Sequence, residues 1–208
     1  MPLDTGRRAA AKQETRDALI AAALAEFAER GLDAPSLDAI CARAGYTRGA
    51  FYVHFRDRDD LMVAVVEHAL GSFLEAVLAS GDEAHDLEHT VDRFAAALAH
   101  TLGQPAAGET TLPLPATVSF ARVLEGIARS PALRERFGEL LAMARDRLAE
   151  VTVRGQRAGT LRADVAPEQV AFLLISLALG IMAGLDAGIP MDPAAARAAV
   201  LTLLARPA

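Results

Sequence analysis

The stretch from Ser36 to Phe55, SLDAICARAGYTRGAFYVHF, restricts the fold of this chain more than any other. It reads as two short helices joined by a tight turn. Ser36 is placed to cap the first helix, expected from Leu37 to about Ala44, because a serine oxygen accepts from the free N–H groups of a helix start. Leu37, Ile40, Cys41 and Ala44 recur at three- and four-residue steps, so they share an inward face. Gly45 follows, where the turn needs a residue that tolerates positive φ. Thr47 is placed to cap a second helix carrying Arg48 to Phe55. Cys41 and Ala44 are small, as a close crossing of the two helices requires. The pattern is that of a helix-turn-helix, whose second helix enters the major groove of DNA. An ordinary hairpin of two helices has the same spacing.

The second helix carries groove chemistry. Thr47 and Arg48 are expected to point outward from its first turn, and arginine forks onto guanine. Gly49 and Ala50 leave room for a backbone to approach, and Ala50 is small enough to touch a thymine methyl. Tyr52 and His54 are placed to reach phosphates, with Phe51 and Phe55, four apart, turned to the core.

The segment GYTRGAFYVHFRDRDDLMVAVVE resembles the DNA-binding signature of the TetR family of one-component regulators, close to its drug-efflux-repressor branch. The family's usual order is a Ser or Thr, then Arg-Gly-Ala-Phe-Tyr, an aromatic, His-Phe and a basic, acidic, basic run. Here those positions are Thr47, Arg48, Gly49, Ala50, Phe51, Tyr52, His54, Phe55, Arg56, Asp57 and Arg58. The departures are Cys41 for the usual Ala, Tyr46 for a small aliphatic, Val53 for an aromatic, and Arg56 and Arg58 for Lys. The resemblance covers roughly the first third of the chain. It implies an all-α protein with an N-terminal three-helix DNA-binding domain and a C-terminal helical domain for ligand binding and dimerisation. It also implies that Arg16, Ser36 and Arg56 join Thr47, Arg48, Gly49, Ala50, Tyr52 and His54 at the DNA.

Charge agrees with a reader of DNA rather than a protein that coats it. The net charge is −6 over 208 residues, and 52% of residues are hydrophobic, enough for a real core. Residues 1–56 sum to +1 and the remainder to −7, so the N-terminal part is the better anion binder. A single cysteine fits a reducing cytoplasm. Residues 1–18 are polar and charged, unlike a signal peptide.

In chain order, residues 1–9 are expected to be a short polar arm with Arg7 and Arg8, and residues 10–30 a helix stopped by Gly31. The expected domains are 1–56, which reads DNA, and 57–208, which senses ligand and dimerises. A long helix is expected from Asp57 to Ser80 and another from Asp86 to Leu102. The Gly- and Pro-rich segment 103–116 breaks helix and either gates a cavity or is a plain loop. Helices follow over 116–129, from Pro131 to about Ala158, from Pro167 to about Ala187, and after Asp192-Pro193.

The run VAFLLISLALGIMAGL, Val170 to Leu185, is apolar on nearly every side but short for a membrane span. One face can serve its own core and the other calls for a partner. Ser176, Gly180 and Gly184 form a smooth stripe; with Leu141 and Leu148 they define an expected homodimer interface, a four-helix bundle across a two-fold axis. Phe73, Phe94, Leu98, His100, Phe120, Arg122, Leu124 and Met143 are candidate lining for an effector pocket, and each apolar one serves equally well as core.

No nucleophile elbow, phosphate loop or carboxylate constellation is present, so no enzyme is expected. His85 and His89 lack a third ligand, so no metal or other cofactor is expected. The reading is a cytoplasmic, dimeric regulator. It is expected to bind a palindromic double-stranded operator as a repressor and to be released by a small apolar or amphipathic effector, with no membrane partner. A ligand-independent regulator or an activator is the alternative.

Overall fold

The computed structural model describes residues 3–30, 35–78, 86–101 and 120–207. Among them the architecture is helical: α1 (Leu3–Arg30), α2 (Leu37–Ala44), α3 (Arg48–His54), α4 (Arg58–Leu78), α5 (Leu87–Thr101), α6 (Phe120–Arg129), α7 (Pro131–Arg157), α8 (Pro167–Asp186) and α9 (Pro193–Leu204). The expected segment 103–116 lies outside the described residues, as does His85, and so does the side chain of His100. Helix α1 begins at Leu3, so residues 3–9 are helical rather than the expected polar arm. Arg7, Arg8 and alanines 9 to 11 supply strong helix propensity, enough to carry the helix through Gly6.

The helix ends follow capping chemistry. Ser36 Oγ accepts from Ala39 N–H at 3.1 Å, and Thr47 Oγ1 accepts from Ala50 N–H at 3.2 Å. Asp57 Oδ1 accepts from Asp60 N–H at 2.8 Å and Asp86 Oδ1 from His89 N–H at 2.9 Å. Asp192 Oδ1 accepts from both Ala194 and Ala195. Gly45 sits at φ 76° and sends its N–H back to Ala42, reversing the chain where an L side chain would be strained.

The chain divides into two compact units. One comprises Met1–Ala69 with Leu114–Arg134, the other Leu70–Pro113 with Glu135–Ala208. The core of the first is built from Leu19, Ile20, Ala23 and Phe27 of α1, Ile40 and Cys41 of α2, Phe51 of α3, then Phe55 and α4's Leu61, Ala64 and Val65. The 56/57 boundary expected from sequence marks the end of the α3 region. In packing, the first unit also takes in the opening turns of α4.

An ion-pair cluster fastens α1 to α2. Glu26 is buried on α1, and its Oε1 accepts from Arg43 Nε at 2.8 Å while Oε2 faces Arg30 Nη1 at 3.4 Å. Arg43 Nη2 also donates to Glu29 Oε2 at 2.5 Å. That bond, first among the causes, holds the Glu29 carboxyl below and the Arg43 guanidinium above their ordinary ranges.

In the second unit Leu87 and Val91 of α5, Leu148 and Val151 of α7 and Ala171 of α8 form the core, with Val200, Leu201 and Leu204 of α9 packed on it. Arg197 of α9 bonds to both Asp92 and Glu88 of α5. The chain end folds back as well. Leu161 and Ala205 form an isolated antiparallel bridge, and Arg162 N–H donates to Leu204 C=O at 3.0 Å.

Adjacent residues of α3 test the packing. Phe51 is fully buried and Tyr52 is 54% exposed. Phe51→Ala should cost about 3–5 kcal/mol in urea unfolding. Tyr52→Ala should cost less than about 1 kcal/mol, since it loses only an edge contact. Equal losses would mean that the buried face of α3 is misassigned.

Candidate nucleic-acid interface

Helix α3 has two sharply different sides. Phe51 packs into the core and is followed by Phe55, with ring centroids 5.4 Å apart. The opposite side carries Arg48, Gly49, Tyr52 and Val53, all exposed, with Thr47 and Arg56 exposed at either end. Positions 48 and 52, and 49 and 53, are one helical turn apart, so the four form a continuous face. A Cβ added at Gly49 would meet only Thr47 Oγ1, at an ordinary 3.6 Å. The subunit itself therefore does not require glycine there, and the bare backbone is open to an outside surface.

The residues expected at DNA are distributed as follows. Thr47, Arg48, Gly49 and Tyr52 lie on the exposed face. Ser36 is exposed but its hydroxyl oxygen is engaged as the α2 cap. Ala50 is half-buried behind that face, since residue 50 points between the core and the exposed side. Val53, which sequence reading did not nominate, is 63% exposed. The signal for it was available: it stands four residues after Gly49 and five after Arg48.

A second group stands at the other end of α3. His54 is half-buried. Its imidazole is held below the ordinary value of 6.5, first by burial and then by the positive charges of Lys12 and Arg16 on α1. The Arg16 guanidinium lies 5.3 Å from the centre of the Phe55 ring, a cation–π contact that fixes it beside α3. Arg56 is tied back to Asp60. Its backbone N–H donates to Asp60 Oδ2 at 3.0 Å and its Nη2 stands 3.3 Å from Oδ1. Those two bonds hold the Asp60 carboxyl below its usual range, the backbone one first. Lys12 and Arg16 thus supply two positive charges beside the His54 imidazole, a group with the chemistry for phosphate oxygens, with Asp60 as the nearby counter-charge.

The expected second-domain sites are met unevenly. Phe73 and Phe94 pack edge to face, centroids 6.1 Å apart. Leu98 is buried and borders a water-sized cavity of about 10 Å³ with Ile181, Leu185, Met191 and Pro193. Phe120 is half-buried, whereas Arg122, Leu124 and Met143 are exposed, Arg122 standing 3.5 Å from Glu125. Of the expected interface residues, Leu148 instead serves its own subunit's core, and Gly184 is buried against Ile189 and Met191. Leu141 is half-buried. Ser176 and Gly180 are exposed on α8, on one face with Phe172, Leu173 and Leu177.

Comparison with known proteins places these elements in context. Residues 19–65 match the profile described as bacterial regulatory proteins, tetR family, and residues 120–202 match one described as tetracyclin repressor-like, C-terminal domain. The chain is 41% identical over 63 residues to the transcriptional repressor BepR of Brucella suis, covering 30% of each chain. It is 37% identical over 91 residues to the repressor Rv3405c of Mycobacterium tuberculosis, covering 44% of this chain and 48% of that one. The matches thus span less than half the length of these two relatives. A complex of SmeT with triclosan shares the fold, with a TM-score of 0.68 and 24% identity over 92% of both chains. SmeT is the repressor of a Stenotrophomonas maltophilia multidrug efflux pump.

The His54 environment has a pH consequence. Its folded-state affinity for a proton is depressed, so the unfolded chain binds more protons as pH falls through and below 6.5. Stability from this group is therefore present at neutral pH and lost on acidification. The melting temperature should fall between pH 7.5 and 5.5, and His54→Gln should flatten part of that slope. An unchanged slope would remove His54 as its source.

Proposed function

The chain belongs to the tetR family of bacterial regulatory proteins, a family of transcription regulators rather than enzymes, and on that premise we propose that it is a DNA-binding regulator. In this reading it works in the cytoplasm as a homodimeric repressor on a palindromic operator, and a small apolar or amphipathic effector releases it. The observation that carries the reading is the exposed face Arg48-Gly49-Tyr52-Val53, set on a helix whose other side is anchored by Phe51. Arg48 is the base reader, with a guanidinium shaped for the O6/N7 edge of guanine. Tyr52 and the Lys12–Arg16–His54 group contact phosphates, which set register and affinity.

A palindrome demands two recognition helices about one DNA turn apart, roughly 34–36 Å. We assign the pairing surface to α8. By length and composition this helix could also cross a bilayer, and only 17% of its apolar window is buried. Phe172 is 66% exposed and Leu173 58%. Leaving such area in water forgoes about 25 cal/mol per Å², and a second copy of the same face covers it. Support for that assignment over a membrane comes from Ser176 and Gly180, whose small side chains allow a second helix to come close.

The domain split follows: residues 1–56 read DNA, and residues 57–208 bind effector and dimerise. The effector site is assigned to the second unit around Phe73, Phe94 and Leu98. SmeT's complex with triclosan supports an aromatic, apolar ligand class. Release needs an effector that binds the DNA-incompetent form better, and it shifts the population by that differential affinity and no more. A thermal-shift screen followed by operator release tests this step; operator affinity unmoved by every stabilising compound would favour a ligand-independent regulator.

Two variants test the assignments. Arg48→Ala should relax base preference in sites selected from a random duplex pool, whereas Tyr52→Ala should weaken all duplexes alike and lower the salt slope. A Cβ at Gly180 meets nothing within 4 Å in its own subunit. Gly180→Leu should therefore fold normally yet shift the species to monomer in analytical ultracentrifugation. A Gly180→Leu protein that remains dimeric would place the interface elsewhere.

A further inference from the structure

Arg48 is not alone on its side of the first unit. Its Nε lies 3.4 Å from Oδ1 of Asp38, which stands in the first turn of α2. Both side chains are well exposed, Asp38 at 68% and Arg48 at 55%. A pair so open to water contributes little to stability, so its consequence is to be sought in where it holds the guanidinium. The contact is an ion pair on the Nε side, without a hydrogen bond between the two groups. Among the described residues the two Nη groups of Arg48 have no partner, so they are open to fork onto guanine O6 and N7.

The two helices make this arrangement through their caps. Ser36 fixes the start of α2 and Thr47 the start of α3. Gly45 reverses the chain between them, bringing the first turns of α2 and α3 to the same exposed region. Both charges also act on the buried Cys41 thiol. Burial first pushes it up, Asp38 raises it further, and Arg48 opposes them.

We propose that Asp38 is a positioning residue for base readout, its carboxylate drawing the Nε side of Arg48 toward itself by charge and leaving both Nη groups for a guanine. The proposal rests on the assignment of Arg48 as base reader. A free arginine samples many rotamers and gives up that freedom on binding, whereas a guanidinium held on one edge gives up less. The same carboxylate places a negative charge beside the phosphates and weakens binding to every duplex. Asp38 thus trades general affinity for discrimination, and its removal moves the two quantities in opposite directions.

The test uses the full-length chain and four variants: Asp38→Ala, Asp38→Asn, Arg48→Ala and the double variant Asp38→Ala with Arg48→Ala. Preferred sites are selected from a random duplex pool. Affinity is then measured by fluorescence anisotropy for the best site, for that site with its specifying guanine exchanged, and for an unrelated duplex. Asp38→Ala should lower guanine discrimination about three- to tenfold while raising affinity for the unrelated duplex about twofold or more. Asp38→Asn keeps the shape and loses the charge that restrains Arg48. It should lose discrimination as Asp38→Ala does and show the same rise in unrelated binding, and its shape guards against a folding defect in the alanine variant. In the Arg48→Ala background, removing Asp38 should leave discrimination where it was.

Unchanged discrimination in Asp38→Ala, with Arg48→Ala still losing it, overturns the proposal and leaves the DNA reading intact. An equal rise for all duplexes marks Asp38 as a repulsive charge only, and an equal fall marks it as structural; either result overturns the proposal. Failure of Arg48→Ala to alter base preference, or absence of duplex binding by the parent chain, overturns the base-reader assignment and this proposal with it.

Discussion

The exposed face of α3 depends on the burial of its opposite side. Phe51 has no exposed surface and Phe55 is nearly as enclosed, both locked among α1, α2 and the opening turns of α4. A helix of seven residues is far too short to hold its shape alone. Its order comes from the core it packs on and from the Thr47 cap at its start. The exposed residues 48, 49, 52 and 53 therefore inherit a fixed backbone orientation from the buried residues behind them. This division allows a small unit to present flexible side chains such as Arg48 with useful precision.

Charge is used in three distinct ways in the same unit. Glu26, buried on α1, is answered by Arg43 and Arg30, and that cluster joins α1 to α2. Arg56 is turned back onto Asp60 and is thereby less available to an outside anion. Arg16, beside the Phe55 ring, stands with Lys12 next to His54 and adds to the field that lowers the Asp60 carboxyl. Net charge conceals this arrangement, because a sum of +1 over residues 1–56 counts paired and presented charges alike. The same holds in the second unit, where Arg197 binds α9 to α5 through Asp92 and Glu88.

Some of the structure was legible in the sequence. Capping residues act within four positions of themselves, so Ser36, Thr47, Asp57, Asp86 and Asp192 announced helix starts correctly, and Gly45 its turn. The apolar stripes of α2 and α3 join the first core as expected, because helical periodicity decides which side is inward. The polar stretch of residues 1–9 suits a solvated arm, yet α1 starts at Leu3, because arginine and alanine are good helix formers however polar the segment. Leu148 and Gly184 were assigned to a partner, yet they pack within their own subunit. Periodicity names the apolar faces of α7 and α8 but cannot apportion each face between core and partner.

The sequence by itself determined the helices, most of their ends and the apolar side of each amphipathic one, since those follow from interactions over a few residues. It also determined the family resemblance, carried by a contiguous run from Gly45 to Glu67. Only the tertiary structure decided which charges are spent on one another, that Val53 rather than Ala50 completes the α3 face, and that Asp38 stands 3.4 Å from Arg48. The physical reason is range. A cap or a stripe is fixed by neighbours along the chain. A salt bridge between two helices is fixed by the angle at which they cross, and that angle is set by the whole core.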